Sequence, residues 1–299
     1  MKTTKIKLAL QRKGRLAEAS LTLLRNCGIE ILSSRDSLFG TSSNFPIEFT
    51  FVRDDDIPAL LRQGTCDLGM LGADVYYESQ YNQTDLEAPL ILKELGLAKC
   101  KLSLALPKAS VFFESEQDLN FFLQGKKIAT SFPGILERYL RSQRVEAQII
   151  SMKGSVEAAP ALGIADLVCD LVSSGATLRA NGLKPVQAIF ESQALLLRAP
   201  EMSEAKQEAL DNLLQRIEGV FQARRSKYIM LNAPKSALEK ITRLLPGASA
   251  PTVIPLPSKP DFSAVQAVCQ EEVFWETMQE LKKAGASDIL VLPIEKMML

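Results

Sequence analysis

The chain has 299 residues, of which 46% are hydrophobic and 23% are charged, as is usual for a globular protein with buried cores. Its 35 basic and 35 acidic residues balance, which opposes a nucleic-acid-binding protein because such proteins normally carry a basic excess. The chain contains no histidine, which excludes a Ser-His-Asp triad, a Cys-His pair and imidazole ligands to a metal.

The N-terminal stretch contains a short apolar segment, residues 6–10, that Lys7 interrupts. This segment is too short for the core of a signal peptide, and no run approaches the length needed to cross a bilayer. The five cysteines, at positions 27, 66, 100, 169 and 269, are scattered without a C-x-x-C pair. Scattered thiols are typical of a reducing compartment. We therefore expect a cytoplasmic protein without a disulfide or zinc framework and without a membrane partner.

Strand-like and helix-like segments alternate through the first two-thirds of the chain. The strand-like segments are residues 5–11, 47–52, 67–71, 126–130, 147–151 and 166–172. The helix-like segments are residues 16–26, a short helix that Asp56 would cap with Pro58 in its first turn, and residues 136–142 and 156–162. This alternation predicts an α/β fold with largely parallel sheets.

The pattern changes around residues 194–201, and a long helical stretch follows at residues 203–223. Beyond it the chain reads strand 227–232, helix 236–245, strands 252–256 and 264–270, helix 272–284 and strand 289–293. The order βαββαβ predicts a ferredoxin-like C-terminal domain.

Residues 165–178 combine a buried strand, predicted to end at Asp170, with a loop of small and hydroxyl-bearing residues. Backbone N–H groups and hydroxyls at the start of a helix suit a phosphate monoester, and an acidic residue before them can hold ribose hydroxyls. An ordinary strand-to-helix turn capped by Thr177 would explain the same pattern. The candidate phosphate-binding residues are Ser173, Ser174, Gly175, Ala176 and Thr177.

Glu157 lies in a second candidate segment, residues 154–166. With Ser155 as the N-cap, Glu157 falls in the first turn of a helix, where the helix dipole stabilises a carboxylate even without a ligand. The chain returns to Asp170 after one helix and one strand, so both carboxylates could also lie beside one sugar.

Cations gather between the first strand and the first helix, in the sequence Gln-Arg-Lys-Gly-Arg at residues 11–15. Positive charges at a helix N-terminus oppose its dipole, so an anionic ligand would stabilise them; a solvated basic face is the alternative. Gly69 and Gly72 would either let a ligand approach the backbone or form a turn. The candidates on this side are Arg12, Lys13, Arg15, Arg53 and Asp74.

Nine segments, spread in order along nearly the whole chain, closely resemble the long form of ATP phosphoribosyltransferase, the first enzyme of histidine biosynthesis. They read QRKGRL, FVRDDDIPALL, DLGMLGADV, LGLAKCKLSLALP, KKIATSFP, GSVEAAPALGIADLVCDLVSSGATLRANGL, ARRSKYIM, FWETMQELKKAGAS and ILVLPIEKM.

The resemblance implies an α/β catalytic unit of two lobes, of the periplasmic-binding-protein type, with the active site in the cleft. Residues 1–102 and 194–225 would form one lobe and residues 103–193 the other. Residues 226–299 would form a ferredoxin-like regulatory domain that binds histidine, an inhibitor. Members of this form assemble from dimers into hexamers and require Mg²⁺.

The resemblance also implies roles for the candidate residues. The loop Ser173 to Thr177 would hold the 5′-phosphate of phosphoribosyl pyrophosphate, with Glu157 and Asp170 on its ribose. The basic residues and Asp74 would lie near ATP and the pyrophosphate. Phosphate oxygens of these substrates would supply most of the ligands to Mg²⁺. N1 of adenine would attack C1′ as pyrophosphate leaves, a reaction that needs no histidine side chain. In the tail, we expect Thr252 to line the histidine pocket.

Two other functions fit the same fold. A solute-binding or ligand-sensing module would share the two lobes, and a catalytically silent regulatory subunit would share the architecture. The lack of a signal-like segment opposes the first alternative. The presence of Glu157, Asp170 and the hydroxyl-rich loop opposes the second.

Overall fold

A computed structural model of the chain describes residues 4–34, 37–81, 87–108, 115–173, 175–245 and 250–297. The chain divides into two compact units, the first formed by Met1–Thr22 with Glu30–Gln207 and the second by Leu23–Ile29 with Glu208–Leu299. Within the described residues, no helix combines the length and the apolar character that crossing a bilayer requires.

The first unit contains a seven-stranded sheet with a parallel centre. Strand β1 (Ile6–Gln11) pairs in parallel with β4 (Ile47–Val52) on one side and β5 (Leu68–Gly72) on the other. Both β1 and β5 are buried almost throughout, as expected for parallel strands that are covered on both faces. The outer strands are antiparallel: β2 (Ile31–Leu32) and β3 (Phe39–Ser42) lie beyond β4, and β12 (Ala194–Arg198) and β6 (Leu90–Glu94) lie beyond β5.

Three helices connect these strands: α1 (Arg15–Asn26), α2 (Ile57–Arg62) and α3 (Ala73–Tyr81). The predicted cap of α2 by Asp56 is wrong, because a 3-10 turn at Asp54–Asp56 runs directly into the helix. Asp56 therefore has helical backbone angles, and its side chain makes no capping hydrogen bond.

The first unit also contains a five-stranded sheet built from β7 (Cys100–Pro107), β8 (Lys127–Thr130), β9 (Gln148–Ser151), β10 (Leu167–Val172) and β11 (Leu183–Ser192). Strands β10 and β8, like β8 and β9, are parallel, whereas β7 runs antiparallel to both of its neighbours. Helices α4 (Glu116–Leu123), α5 (Pro133–Gln143) and α6 (Ala176–Ala180) belong to this part. The order of the strands across this sheet is β11, β7, β10, β8, β9.

We call the part built on the seven-stranded sheet lobe I and the part built on the five-stranded sheet lobe II. The chain passes between them twice, once between Glu94 and Cys100 and once at Gln193. The two crossovers run side by side, since Leu95 N donates to Ala194 O and Ala194 N donates to Leu97 O, both at 2.9 Å. The residue boundaries of the predicted domains stay a prediction.

Each lobe has its own core, and two aromatic side chains join them. The core of lobe II gathers around residues such as Leu104, Ile128 and Leu136, whereas a core cluster of lobe I includes Ile57 and Leu71. Phe132 and Phe190 pack against both clusters. The lobes are therefore in direct apolar contact.

The second unit contains α7 (Gln207–Arg225) and a four-stranded antiparallel sheet built from β13 (Ser226–Pro234), β14 (Thr252–Pro255), β15 (Phe262–Gln270) and β16 (Ser287–Pro293). Two helices, α8 (Leu238–Leu244) and α9 (Glu271–Lys283), alternate with the strands to give the order βαββαβ. This arrangement is ferredoxin-like, so the predicted fold class is confirmed for both the two-lobed α/β part and the tail. The order of the strands across this sheet is β14, β15, β13, β16.

One predicted helix, at residues 156–162, is wrong. The structure has only a 3-10 turn at Val156–Ala158, followed by irregular turns. Pro160 explains the difference, because it has no N–H to donate to the carbonyl of Val156. Ser155 has a left-handed φ of 51° and makes no side-chain capping bond, so it does not cap a helix as predicted.

Candidate active site

Lobe I brings its predicted site residues to one edge of the sheet. Because β1, β4 and β5 are parallel, their carboxyl ends share that edge, which is where open α/β sheets commonly bind ligands. Gln11, Arg53 and Asp74 follow or end these three strands. The basic segment 11–15 and the first turn of α3 therefore meet there.

The basic residues of this edge lie at the surface. Arg12, Lys13, Arg15 and Arg53 are all exposed, and the turn between β1 and α1 depends on Gly14, whose φ of 103° favours glycine. The turn is tied to β4, since Arg12 N donates to Val52 O at 2.9 Å. Exposure fits both an anion site and a solvated basic face, so this role stays a prediction.

Asp74, in contrast, is buried at this edge of the sheet and is held by hydrogen bonds. Only 5% of its surface is exposed. The hydroxyl of Ser192 donates to its Oδ1 at 2.5 Å, and Asp74 N donates back to Ser192 Oγ at 3.1 Å. A Cβ at Gly72 would lie 2.1 Å from Asp74 Oδ1, so glycine at this position leaves room for the carboxylate.

The structure shows packing roles for the two glycines, and Gly72 also lines a cavity, so close approach of a ligand to its backbone stays a prediction. Gly72 ends β5 against the Asp74 carboxylate, and Gly69 lies within β5, where a Cβ would come 2.6 Å from Ile57 Cγ2. Neither forms a turn, and Gly69 serves the packing of α2 on the sheet.

The Asp74 carboxyl has a raised pKa. Burial is the main cause, and the nearby Asp55 carboxylate acts in the same direction. The Ser192 hydroxyl and the backbone N–H groups of Asp74 and Val75 oppose the shift, because they bond to the charged form. Cys100 belongs to the same cluster: burial raises its pKa first and the Asp74 charge raises it further, whereas Ser192 and Arg15 lower it.

Lobe II places Asp170 and Glu157 close together. Asp170 is half-buried within β10, which continues to Val172, so Asp170 lies inside the strand predicted at residues 166–172 and does not end it. Its Oδ1 accepts a hydrogen bond from Leu171 N at 2.8 Å. Burial raises the pKa of Asp170, and the Glu157 carboxylate raises it further. The two carboxylates therefore lie close enough to repel each other, although no helix carries Glu157.

The loop after β10 has the predicted chemical character but a weaker helix behind it. Ser173, Ala176 and Thr177 are exposed, whereas Ser174 lies outside the described residues. The N-cap is Gly175, with a φ of 70°, rather than Thr177, and α6 has only five residues. Because a helix dipole grows with aligned peptide units, hydroxyls and backbone N–H groups must supply most of any phosphate binding here.

A cavity of about 200 Å³ lies between the lobes. Arg15 and Asp74 of lobe I, Leu171 of lobe II and Ser192 at the crossover all contribute to its wall. A larger cavity of about 530 Å³ shares Cys100, Ser192 and Gln193 with it and is lined by Ser173, Lys99 and Lys101. Ligand sites usually occupy 300–1,000 Å³, so the smaller cavity alone is too small for two phosphorylated substrates.

Sequence reasoning missed two residues of this region. Ser192 holds Asp74 from 118 residues away, and nothing near it in the sequence marks it. Lys153 of lobe II lies near Asp55 of lobe I: burial and then Asp54 raise the pKa of Asp55, whereas Arg53 and Lys153 lower it. A lone lysine before Gly154 carries no motif, so only the fold reveals that its charge acts on Asp55 across the cleft.

In the second unit, Thr252 begins β14, an edge strand that pairs with β15. It is exposed, as are Val253 and Ile254 beside it. Its role in a histidine pocket stays a prediction.

Comparison with known proteins decides the family. The family model for ATP phosphoribosyltransferase matches residues 53–219, and the model for the C-terminal domain of the same family matches residues 223–296. The chain belongs to the ATP phosphoribosyltransferase family. An ATP phosphoribosyltransferase of Cytophaga hutchinsonii is 44% identical over 294 residues, which cover 98% of this chain and 99% of the relative.

A solved structure is similar as well. A chain of the ATP phosphoribosyl transferase (HisG:HisZ) complex from Thermotoga maritima is 31% identical, with a TM-score of 0.56. The match covers 71% of this chain and 98% of that one. Together these relatives identify the chain as a transferase of the pentosyltransferase class that acts in histidine biosynthesis. Membership of the family argues against both a solute-binding module and a silent subunit.

Proposed function

We propose that this ATP phosphoribosyltransferase transfers the phosphoribosyl group of phosphoribosyl pyrophosphate to N1 of ATP and releases pyrophosphate. The observation that carries the proposal is that the turn with Glu157 packs against β10, so that the Glu157 carboxylate lies near Asp170 at the edge of lobe II. A sugar carbon that gains positive charge between them would be stabilised by both. The adenine nitrogen already carries a lone pair, so the reaction needs no strong base.

The surrounding residues support the rest of the reaction. The loop residues Ser173, Ser174, Gly175, Ala176 and Thr177 would bind the 5′-phosphate through hydroxyls and backbone N–H groups. The cations Arg12, Lys13, Arg15 and Arg53 would neutralise the ATP phosphates and the leaving pyrophosphate. Asp74, fixed by Ser192, would hold a polar edge of the adenine or the ribose of ATP.

Mg²⁺ would neutralise charge on the pyrophosphate when bound. Among the described residues, no group of three or more acidic or cysteine side chains is arranged to hold a metal ion. Asp55 lies near enough to Asp74 for its charge to raise the Asp74 pKa, so these two carboxylates would supply one or two ligands. This donor set fits Mg²⁺, which is usually held by substrate phosphates, water and one or two carboxylates.

Histidine feedback and assembly belong to the proposal too. The ferredoxin-like sheet contains none of the proposed catalytic residues and matches the family's C-terminal domain. We propose that it binds histidine near Thr252 and that the chain assembles through dimers into a hexamer. A role in amino-acid biosynthesis suits the cytoplasm.

The test combines the purified protein with ATP, phosphoribosyl pyrophosphate and Mg²⁺ and measures phosphoribosyl-ATP and pyrophosphate. We expect both products from the parent and a turnover lower by about one to three orders of magnitude in Asp170→Asn, which keeps the shape and loses the charge. The control is Glu146→Gln, an exposed carboxylate of lobe II, which should match the parent. Absence of product from the parent would refute the reaction, and full activity of Asp170→Asn would refute the role of this carboxylate.

A further inference from the structure

Helix α5 begins without a cap of its own. Its N-cap residue, Phe132, has no side-chain oxygen, and its first helical residue, Pro133, has no N–H. The next two residues, Gly134 and Ile135, carry N–H groups for which a helix offers no internal acceptor. Both residues are buried, so leaving these groups unbonded would be costly.

The missing cap comes from the other lobe. Glu78, on α3 of lobe I, accepts Gly134 N on Oε1 at 2.8 Å and Ile135 N on Oε2 at 2.9 Å. Each carboxylate oxygen thus satisfies one of the two N–H groups. Hydrogen bonds to a charged acceptor are stronger than neutral ones, and a negative charge at a helix N-terminus is favourable. The contact therefore stabilises α5 only while the lobes keep this orientation.

Helices α3 and α5 also pack closely beside this contact. A Cβ at Gly134 would lie 2.4 Å from Cγ of Tyr81, so the glycine permits a close approach of α5 to α3. The Tyr81 hydroxyl donates to Glu137 on α5. Phe132, just before α5, packs against core clusters of both lobes. The carboxylate contact thus lies within a continuous junction.

We propose that Glu78 is a positioning residue that fixes the orientation of lobe II against lobe I. Helix α3 carries Asp74 in its first turn, and α5 follows β8, the strand that pairs with the Asp170 strand β10. A contact between α3 and α5 therefore sets how the Asp74 side of the cleft faces the Asp170 side. The kinetic consequence rests on the proposed function, whereas the structural consequence does not.

The structural test is hydrogen–deuterium exchange of the substrate-free protein, read by mass spectrometry on peptides covering residues 132–137. Glu78→Gln can offer one carbonyl oxygen, but its amide NH₂ faces the second N–H group and its charge is lost. We expect exchange at Gly134 and Ile135 to rise roughly tenfold or more. Glu78→Asp keeps the charge at a shorter reach and should fall between Glu78→Gln and the parent.

The control is again Glu146→Gln, which removes a carboxylate of lobe II that lies exposed on the surface. It should exchange like the parent at residues 132–137. Equal exchange in Glu78→Gln, Glu78→Asp and the parent would overturn the proposal. If Glu78→Gln does not fold, the Glu78→Asp result decides.

The kinetic test measures turnover per folded molecule, with the folded fraction taken from circular dichroism. We expect the turnover of Glu78→Gln to fall roughly tenfold or more, because misplaced reactants lose the advantage of proximity. The Michaelis constants should change little, since each substrate binds mainly to one lobe, and Glu78→Asp should recover part of the turnover. Faster exchange with unchanged turnover would overturn the positioning role. A parent without transferase activity would instead refute the proposed function and leave the exchange result to decide on the contact.

Discussion

Asp74 has unusual surroundings for a charged group. It is almost completely buried, yet its carboxylate is met by a serine hydroxyl and by backbone N–H groups rather than by a cation. Hydrogen bonds recover only part of the hydration that a buried carboxylate loses. The raised pKa follows from this imbalance, and it makes the stability of the fold depend on pH.

Asp74→Asn should be more stable than the parent at neutral pH, and the difference should shrink in acid. Because folding raises the pKa of Asp74 above its ordinary value of 3.8, the folded state binds the proton more tightly than the unfolded chain. The parent therefore loses stability as the pH rises through the raised pKa, whereas the neutral asparagine loses none. Urea unfolding at about pH 4 and about pH 7.5 measures the effect.

The matched control is Asp261→Asn, an exposed aspartate, for which we expect no such pH-dependent difference. An advantage of Asp74→Asn that is equal at both pH values would contradict the argument. We also expect Asp74→Asn to be less active, in line with the cost of stabilising a functional site.

At the scale of the element, the start of α5 differs from what its sequence indicates. The local pattern predicts a helix at residues 136–142, but the structure extends it to Pro133–Gln143. The cap position is not Ser, Thr, Asp or Asn, so the local signal for this first turn is Pro133 at the first helical position. The N–H groups of this turn are bonded by Glu78, which is 56 residues away.

Gly134→Ala should destabilise the protein by roughly 1–3 kcal/mol, although alanine favours helices over glycine by about 1 kcal/mol. The new Cβ would lie 2.4 Å from Cγ and 2.5 Å from Cβ of Tyr81, atoms at the stem of that side chain that cannot swing away. Urea unfolding measures the change. In a Tyr81→Gly background, which removes both atoms, the same substitution should cost nothing or should stabilise. An equal cost in both backgrounds would show that the contact with Tyr81 is not the cause.

At the scale of the whole molecule, the chain contains a two-lobed α/β unit and a separate βαββαβ sheet. The proposed catalytic residues all belong to the first unit, whereas Thr252 belongs to the second. Regulation by a ligand of the second unit requires that the ligand bind two states of the enzyme with different affinity. The proposed feedback can therefore be tested separately from catalysis.

Histidine should bind the full-length protein and lower its activity, and Thr252→Ala should weaken the binding. Loss of one hydrogen bond to a ligand typically costs 0.5–1.5 kcal/mol, so we expect the dissociation constant to rise by about threefold to tenfold. Calorimetric titration measures it, with Ser258→Ala, an exposed hydroxyl of the same unit, as the control. No binding by the parent would contradict the regulatory role, and equal binding by parent and Thr252→Ala would contradict only the placement of the pocket.

Much of the architecture is determined by local sequence patterns. The strands at residues 47–52 and 289–293, the long helix before the tail and the βαββαβ order all follow from side-chain periodicity and from Gly and Pro signals. These signals act within a few residues, so they persist whatever the rest of the chain does. The predicted helix at residues 156–162 fails for a local reason too, because Pro160 cannot donate the hydrogen bond that a helix requires there.

Some features of the candidate site follow from local sequence patterns, and others depend on tertiary contacts. The sequence by itself determined that carboxylates, cations and a hydroxyl-rich loop lie at strand ends, since those positions follow from the strand pattern. Only the tertiary structure decided that Ser192 holds Asp74, that Glu157 raises the pKa of Asp170, and that Glu78 caps a helix of the other lobe. The first and last of these contacts join residues 118 and 56 positions apart. Such pairs depend on strand order and on the way the lobes pack, and no local periodicity encodes either.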